Sequence, residues 1–197
     1  MEMIYEKNRI FLKNKKINNL DKFVIKFVKI LEKYTRYVIV SGYVSILFGR
    51  SRATEDIDII VEKKDLSEFF SHLEKKNYWL INASFNEANE NIKYNAIRIA
   101  KKGKFIPNIE LKIAKTDIEK IALSERIRVF LNSSSIYISP IELQIAYKLF
   151  LSSEKDIEDA RHLFNIFSDK IKIEELKKMV EELKVEKKLK YLGIKYD

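Results

Sequence analysis

The sequence contains no cysteine, only two histidines, four glycines and two prolines among 197 residues. The absence of cysteine excludes disulfide bonds and thiolate metal sites. His72 and His162 both lie in segments with helical spacing of apolar residues, which leaves almost no material for a histidine metal site or a Ser-His pair. No apolar run approaches the roughly 18 residues that cross a bilayer, and the acidic start lacks a signal-peptide cleavage site. We therefore expect a cytoplasmic protein without a membrane partner.

The composition is that of a globular protein with a strong positive charge. Apolar residues make up 46% of the chain and aromatic residues 12%, which is enough to build a core. The 38 basic and 29 acidic side chains give a formal net charge of +9. This excess favours polyanionic partners such as nucleic acid and nucleoside triphosphates. A lysine excess also commonly serves only solubility, so charge alone does not select a function.

Apolar periodicity predicts a mixed α/β part over residues 1–138 and a helical part over residues 139–197. The predicted strands are Tyr37–Val40, Asp56–Val61, Tyr78–Phe85, Ile92–Ala100, Ile106–Ala114, Arg126–Leu131 and Ser135–Ile138. The predicted helices are one from Leu20 with Asn19 as its N-cap, then Tyr43–Phe48, Asp65–Lys76, Pro140–Leu151, Lys155–Phe167 and Ile173 to about Lys190.

The stretch SGYVSILFGRSRATEDIDIIVE carries the clearest chemistry. Side chains alternate across a strand, so Asp56 and Asp58 share one face, with their Cα atoms about 6.5–7 Å apart. Such neighbouring carboxylates repel each other, and Mg²⁺ relieves the repulsion while it bridges substrate phosphates. Upstream, Ser41 and Gly42 lie between a strand and a short helix, where free amides suit a phosphate chain. A charged strand on a solvent face is the simpler alternative.

This order of elements resembles the nucleotidyltransferases of the DNA polymerase β superfamily. The run Arg52-x-Thr54-x-Asp56-Ile57-Asp58 is similar to the small prokaryotic branch that includes AbiEii-type toxins and related uncharacterised nucleotidyltransferases. The resemblance implies an α+β fold with a mixed sheet flanked by helices, followed by a C-terminal helical bundle. It also implies transfer of a nucleoside monophosphate from an NTP, with Mg²⁺ or Mn²⁺ held by carboxylates and with pyrophosphate leaving.

The resemblance assigns roles to further residues. Glu110 takes the position of a third carboxylate, as metal ligand or base, where the family more often has Asp. Ser41 stands where the first glycine of the phosphate-binding turn is expected, and Gly42 is retained. Arg52 and Thr54 flank the site, and Arg50 or Arg52 would neutralise phosphate.

The resemblance continues into the helical part through S-P-x-x-L, K-L and K-D-x-x-D motifs at Ser139, Pro140, Leu143, Lys148, Leu149, Lys155, Asp156 and Asp159. It implies that Lys148 reaches the nucleotide. The Asp pair would order the helices or the site, and both acids would also suit a helix N-terminus through the helix dipole.

Two functions stay open at the level of sequence. In the first, the protein is an enzyme whose acceptor is a hydroxyl of RNA, such as tRNA, or of a protein. In the second, it is an inactive member of the same fold that binds RNA or protein, in a toxin–antitoxin pair with the product of a neighbouring gene. A catalyst requires joint metal binding by Asp56, Asp58 and Glu110, whereas a binding module does not.

Overall fold

The computed structural model describes residues 2–195, which form a nine-stranded mixed sheet flanked by helices. The strands are β1 Glu2–Glu6, β2 Arg9–Lys13, β3 Tyr37–Ile39, β4 Asp56–Val61, β5 Tyr78–Leu80, β6 Ile97–Lys101, β7 Asn108–Ile113, β8 Ile127–Leu131 and β9 Ser134–Ile138. The helices are α1 Asn19–Leu31, α2 Gly42–Leu47, α3 Ser67–Lys75, α4 Ala88–Asn91, α5 Asp117–Ser124, α6 Ile141–Leu151, α7 Glu154–Ile166 and α8 Ile173–Glu182, followed by a 3₁₀ helix, Glu186–Leu192. This architecture is the α+β fold expected from the sequence.

The sheet has the strand order β1-β2-β8-β9-β3-β4-β7-β6-β5. The pairs β2–β8, β9–β3 and β4–β7 are parallel, and the other neighbours are antiparallel. Strands β4 and β7 are far apart in sequence but lie side by side, with Asp58 opposite Glu110 and Asp56 opposite Asn108. The register therefore places the predicted third carboxylate beside the Asp pair.

The two faces of the central strands are covered differently. On one face, Ile57 and Ile59 of β4 join the main apolar core, which includes side chains of α1 and α3. On the other face, Ile60 joins a smaller cluster with Ala122 of α5 and Leu143 of α6. Because side chains alternate along a strand, the two aspartates of β4 share this second face with Ile60. They lie beyond the part covered by the cluster and are partly exposed.

Several sequence predictions are confirmed and others need correction. The limits of β4 match the prediction, and strands β6, β7, β8 and β9 overlap the strands predicted in these regions. Helix α1 is capped by Asn18, not Asn19, through a capping box with Asp21. Strand β5 ends at Leu80, and β6 begins only at Ile97, because residues 81–96 form turns and the short helix α4. Helix α8 ends at Glu182, well before Lys190, and Pro140 precedes the first helical residue of α6.

Sequence reasoning missed β1, β2, α4 and α5. The start of α5 did carry a signal, since Thr116 and Glu119 form a capping box of the T-x-x-E type. Strands β1 and β2 carry charged residues at their ends, which masked their short apolar centres.

The predicted division into residues 1–138 and 139–197 stays a prediction. One apolar core includes side chains from both parts, among them Phe27 of α1, Ile145 of α6 and Leu163 of α7. No helix within residues 2–195 combines the length and the apolar character that a membrane span requires.

A buried ion cluster attaches α6 and α7 to the loop after α2. Asp159 of α7 is fully buried and accepts hydrogen bonds from Arg52 Nε at 3.1 Å and Nη2 at 2.9 Å. The Lys148 ammonium of α6 lies 3.0 Å from Asp159 and 2.7 Å from Asp156. Burial raises the pKa of Asp156, but hydrogen bonds from Lys148 and Ser153 outweigh it and hold that pKa below its usual value. The cluster thus pairs its buried charges, as their desolvation requires.

Asp159→Asn should destabilise the protein strongly, because it leaves Arg52 and Lys148 without their shared carboxylate. Loss of one partner from a buried ion cluster typically lowers the free energy of unfolding by about 3–5 kcal/mol. Urea denaturation at neutral pH measures this change. The control is Glu174→Gln, which removes an exposed carboxylate paired with Lys177 and should change little. Equal stabilities for Asp159→Asn and the wild type would show that the cluster does not hold the helices in place.

Candidate active site

The predicted carboxylates lie on two neighbouring parallel strands. Asp56 and Asp58 belong to β4, and Glu110 of β7 is the register partner of Asp58. Neighbouring strands are about 4.8 Å apart, and the three side chains share one sheet face because paired residues point the same way. Each of the three is partly exposed. The structure therefore brings together the three acids that the sequence predicted to act jointly.

The electrostatics of Asp58 reflect this crowding. Burial first, and then the negative charges of Glu110 and Asp56, raise its pKa to about 6. The Ser41 hydroxyl and the Lys112 ammonium act in the opposite direction with smaller effect. Lys112 itself is bound to Glu119 of α5 at 3.0 Å. The face thus holds more negative charge than its own cations neutralise, which favours a bound cation.

The donor set fits Mg²⁺ brought by a nucleotide better than a metal cage made by the protein alone. Within residues 2–195, no three acidic or histidine side chains converge into a ready metal cage. Mg²⁺ in phosphate-transfer sites usually takes one or two carboxylates and completes its shell with phosphates and water. Asp56 and Asp58 supply hard oxygen donors of this kind. Binding of metal by Glu110 stays a prediction.

The Ser41–Gly42 turn is held from the helical part of the chain. Ser41 has φ 64° and ψ −140°, a left-handed backbone region that favours glycine. Gln144 of α6 fixes it, because its Oε1 accepts from Ser41 N at 3.2 Å and its Nε2 donates to Ser41 O at 2.7 Å. Ser139 Oγ donates to the same Oε1 at 2.8 Å and orients the amide. The Ser41 amide is therefore occupied, whereas its hydroxyl faces Asp58.

Gly42 leaves space for the close approach of Arg52. A Cβ atom at Gly42 would lie 2.3 Å from Arg52 Nη2, well inside any contact distance. Arg52 also donates from Nη1 to the Ala53 carbonyl at 3.1 Å. Its hydrogen bonds within residues 2–195 use three of the five N–H donors of a guanidinium, so two donors stay free above the turn.

The other predicted residues have positioning contacts. Thr54 Oγ1 lies 3.0 Å from the Asp56 carbonyl and 3.3 Å from Asp56 Oδ1, and so orients that aspartate. Arg50 is bound to Glu158 and lies 3.7 Å from Asp159. Lys148 is nearly fully buried, and its ammonium contacts Asp156 and Asp159. Its predicted contact with nucleotide stays a prediction, and in this structure its charge supports the carboxylate that holds Arg52.

Sequence reasoning missed two residues of the candidate site, Gln144 of α6 and Arg98 of β6. Arg98 of β6 is exposed and is the register partner of Glu110, on the side opposite Asp58. Its Nε lies 3.4 Å from Asn108 Oδ1, and no carboxylate within residues 2–195 forms an ion pair with it. The alternation in Ile97-Arg98-Ile99 indicated an outward Arg, but only the register shows that it lies beside the acids.

A separate cavity of about 570 Å³ lies between α5, α6 and α8. Its lining includes four lysines and four glutamates: Lys7, Lys170, Lys172, Lys178, Glu125, Glu142, Glu175 and Glu182. These charges balance one another, and none of the predicted site residues lines the cavity. It therefore gives no indication of the chemistry at the carboxylates.

Gly42→Ala should displace the Arg52 guanidinium and weaken its bond to Asp159. Overpacking of this kind typically lowers the free energy of unfolding by about 1–3 kcal/mol. A double-mutant cycle tests the cause, because Gly42→Ala should cost less in an Arg52→Ala background, where the clash is absent. Chemical denaturation of the four proteins gives the coupling. An equal cost in both backgrounds would contradict the steric explanation.

Asp58→Asn should remove a pH dependence of stability. Because the folded pKa of Asp58 is about 6, above its usual value of 3.8, the folded protein binds more protons than the unfolded chain between these pH values. The free energy of unfolding therefore falls as pH rises through this window and stays lower above it. In Asp58→Asn this fall in the free energy of unfolding should be smaller by about 1–3 kcal/mol. The figure takes about 1.36 kcal/mol for each unit of pKa shift and reduces it because the carboxyl group is partly exposed.

The measurement is urea denaturation of both proteins at pH 4.5 and pH 7.5, about one unit or more on either side of the folded pKa of Asp58. A chelator is present to remove divalent cations. Asp169→Asn, which changes an exposed aspartate in the turn after α7, is the matched control and should keep the wild-type dependence. An unchanged fall in Asp58→Asn would show that Asp58 is not the titrating group.

No protein-family model matches the sequence, and no curated protein does. Solved structures do share its fold. An antigenic nucleotidyltransferase-like protein from Paracoccidioides brasiliensis is 16% identical, with a TM-score of 0.53, over 89% of this chain and 93% of that one.

The antibiotic-resistance factor ANT(2'')-Ia in solution is 13% identical, with a TM-score of 0.54, over 83% of this chain and 92% of that one. Its crystal structure in complex with adenylyl-2''-tobramycin is 10% identical, with a TM-score of 0.53, over 85% of this chain and 98% of that one. The chain therefore has the fold of nucleotidyltransferase-like proteins, whereas its resemblance to the AbiEii-type branch stays a prediction.

Proposed function

We propose that the protein is a metal-dependent nucleotidyltransferase that moves a nucleoside monophosphate from an NTP to a hydroxyl of RNA or protein. The observation that carries the proposal is the row of three acids on β4 and β7, beside a turn that Gln144 and Arg52 hold in place. The shared fold with nucleotidyltransferase-like proteins is consistent with this reaction class.

Asp56 and Asp58 would hold Mg²⁺ or Mn²⁺. When bound, such an ion neutralises phosphate charge and orients the triphosphate. Thr54 keeps the Asp56 carboxylate in position. Without a cation, Asp58 is half-protonated near pH 6, so metal binding should strengthen as pH rises above that value.

The turn and the neighbouring arginines would bind the phosphates. The Ser41 hydroxyl and the two free N–H donors of Arg52 would face the phosphates, with the Arg52 guanidinium packed closely against Gly42. Arg98 would add a second cation from β6, on the far side of Glu110. Lys148 would contribute through Asp159, by fixing the orientation of Arg52.

Glu110 would accept the proton of the attacking hydroxyl. Its carboxylate lies between Asp58 and Arg98 in the sheet, so an acceptor hydroxyl near the metal ligands would be within reach of its oxygens. In-line attack at the α-phosphorus then forms the new P–O bond as the bond to pyrophosphate breaks, and the proton passes to the Glu110 oxygen. Within residues 2–195 Glu110 forms no ion pair, which leaves its carboxylate oxygens available for this proton.

One observation favours the alternative, a non-catalytic binding module. The Ser41 amide is bound to Gln144, so the turn offers a hydroxyl rather than a backbone amide to phosphate. In that case the site would bind neither Mg²⁺ nor NTP, and the protein would act through its basic surface. A role in a toxin–antitoxin pair with a neighbouring gene product stays a prediction under either function.

Transfer should be detected with α-³²P-labelled NTPs, each of the four supplied in turn with Mg²⁺ or Mn²⁺, on total RNA and total protein. Asp58→Asn and Glu110→Gln should each lower labelling by at least about 100-fold, the usual effect of removing a group that stabilises the transition state. Asp169→Asn, an exposed aspartate away from β4, should keep wild-type labelling.

Metal-dependent stabilisation by NTP, measured as a shift in the thermal midpoint, separates the two functions. An enzyme gains stability from Mg²⁺ and NTP together, and Asp58→Asn abolishes the gain. Absence of both labelling and stabilisation in the wild type would reject the enzyme. Stabilisation without labelling would point to an acceptor missing from the mixture, and purified tRNA would then be the next acceptor tried.

A further inference from the structure

A row of arginines and aromatic rings covers the outer side of β2, β8 and β9. The residues Arg9, Phe11, Arg126, Arg128, Phe130 and Tyr137 form what we call the arginine–aromatic face. The register places Arg9 opposite Arg128, Phe11 opposite Phe130, and Arg128 opposite Tyr137. Their neighbours Ile10, Val129 and Ile136 point into the core, so the face is the solvent side of these strands.

The positive charges of this face lack carboxylate partners. Within residues 2–195, no ion pair involves Arg9, Arg126 or Arg128. Glu6 of β1 is opposite Arg9 in register but lies beyond ion-pair distance. Like charges that stand opposite each other on neighbouring strands destabilise a sheet. The Arg9–Arg128 pair is therefore costly to the folded protein alone and would be relieved by a bound anion.

Aromatic rings and guanidinium groups stack on one another along this face. The rings of Phe11 and Phe130 are stacked with centroids 4.7 Å apart and planes 7° apart. Arg128 lies over the Phe130 ring at 4.8 Å, and Arg126 lies over the Tyr137 ring at 3.9 Å. These rings are partly exposed. A guanidinium group over a ring presents both a cation and a planar group to a ligand.

We propose that the arginine–aromatic face binds single-stranded RNA. Phosphates would contact Arg9 and Arg128, and unpaired bases would stack on the face of the Phe11 ring turned away from Phe130 and on the guanidinium groups over Phe130 and Tyr137. Alternating cations and flat rings suit a strand whose bases are unstacked, because a duplex keeps its bases hidden from such a surface. Asn8 and Ser135 border the face and can hydrogen-bond a 2′-hydroxyl, which distinguishes RNA from DNA.

This site goes beyond the proposed transfer reaction and does not depend on it. Its residues belong to β2, β8 and β9, except Arg126, which directly precedes β8, whereas the candidate metal ligands belong to β4 and β7. The two regions meet at β3, since Arg126 donates to the Tyr37 carbonyl at 2.8 Å and β3 pairs with β4. RNA held on this face would lie on the same sheet as the aspartates, with β3 between β9 and β4.

Binding is measured by fluorescence anisotropy with a labelled RNA of about 12 nucleotides, within the span of single-strand sites, without NTP or divalent metal. The double variant Arg9→Gln/Arg128→Gln should weaken binding by about 10-fold or more. It should also reduce the slope of log affinity against log salt by about 1.4, because each phosphate that the protein neutralises on a single strand accounts for about 0.7 of that slope. Phe130→Leu should weaken binding several-fold but keep the salt slope, because it removes stacking and not charge.

Two control proteins make the result decisive. Lys22→Gln/Lys26→Gln removes the same charge from exposed positions of α1 and should bind within about 2-fold of the wild type, since its lysines make none of the proposed phosphate contacts. Arg9→Lys/Arg128→Lys retains the charge and should keep the salt slope while affinity falls, because lysine lacks the planar guanidinium. Circular dichroism and thermal melting confirm that each variant is folded.

Three results would overturn the proposal. Equal weakening in the lysine control would show attraction by net charge alone. An unchanged affinity in the arginine variants would show that RNA does not bind at this face. Equally tight binding of duplex RNA or of single-stranded DNA with the same sequence would reject the assignment to single-stranded RNA.

Discussion

The buried carboxylate of Asp159 is the contact on which the candidate site depends. Two cations from different parts of the chain share it, Arg52 from the loop after α2 and Lys148 from α6. Because a buried charge must be paired, these three groups can be buried only together. Their assembly fixes the guanidinium above Gly42, and Gln144 from the same helix layer fixes Ser41. The helical part of the chain is therefore a structural component of the turn that would bind phosphate.

The second constraint is the parallel pairing of β4 with β7. It brings Glu110 next to Asp58 across more than fifty residues of intervening chain, and the Glu110 charge adds to burial, the larger cause, in raising the pKa of Asp58. The turn, the acids and Arg98 lie on a sheet face that α5 and α6 cover only in part. A site of this kind is open at one edge, which leaves room for a large acceptor. The arginine–aromatic face continues the same sheet beyond β3 and would give such an acceptor a place to bind.

Local patterns allowed much of this arrangement to be predicted. The alternation in Asp56-Ile57-Asp58-Ile59 indicates a strand with two acids on one side, and that strand is present with the predicted limits. The alternation around Glu110 likewise predicts a strand with the acid facing outward. What the sequence does not contain is register, since strand pairing is set by packing over the whole sheet. The positions of Arg98 beside Glu110 and of Arg9 beside Arg128 follow from register alone. Burial is similarly hidden: Lys148 matches a motif, but its contacts with Asp156 and Asp159 depend on how α6 meets α7.

The long sequence separation of the contacts around the turn has a consequence for synthesis of the protein. Ser41 and Gln144 are 103 residues apart, and Arg52 and Asp159 are 107 residues apart. At about 5–20 residues per second, a ribosome needs roughly 5–20 s to add the second partner after the first. During that interval the growing chain already contains Asp56 and Asp58, but the turn lacks both of its supports. The nascent chain therefore carries Asp56 and Asp58 before the turn is ordered, and the candidate site is complete only once α7 has emerged and docked.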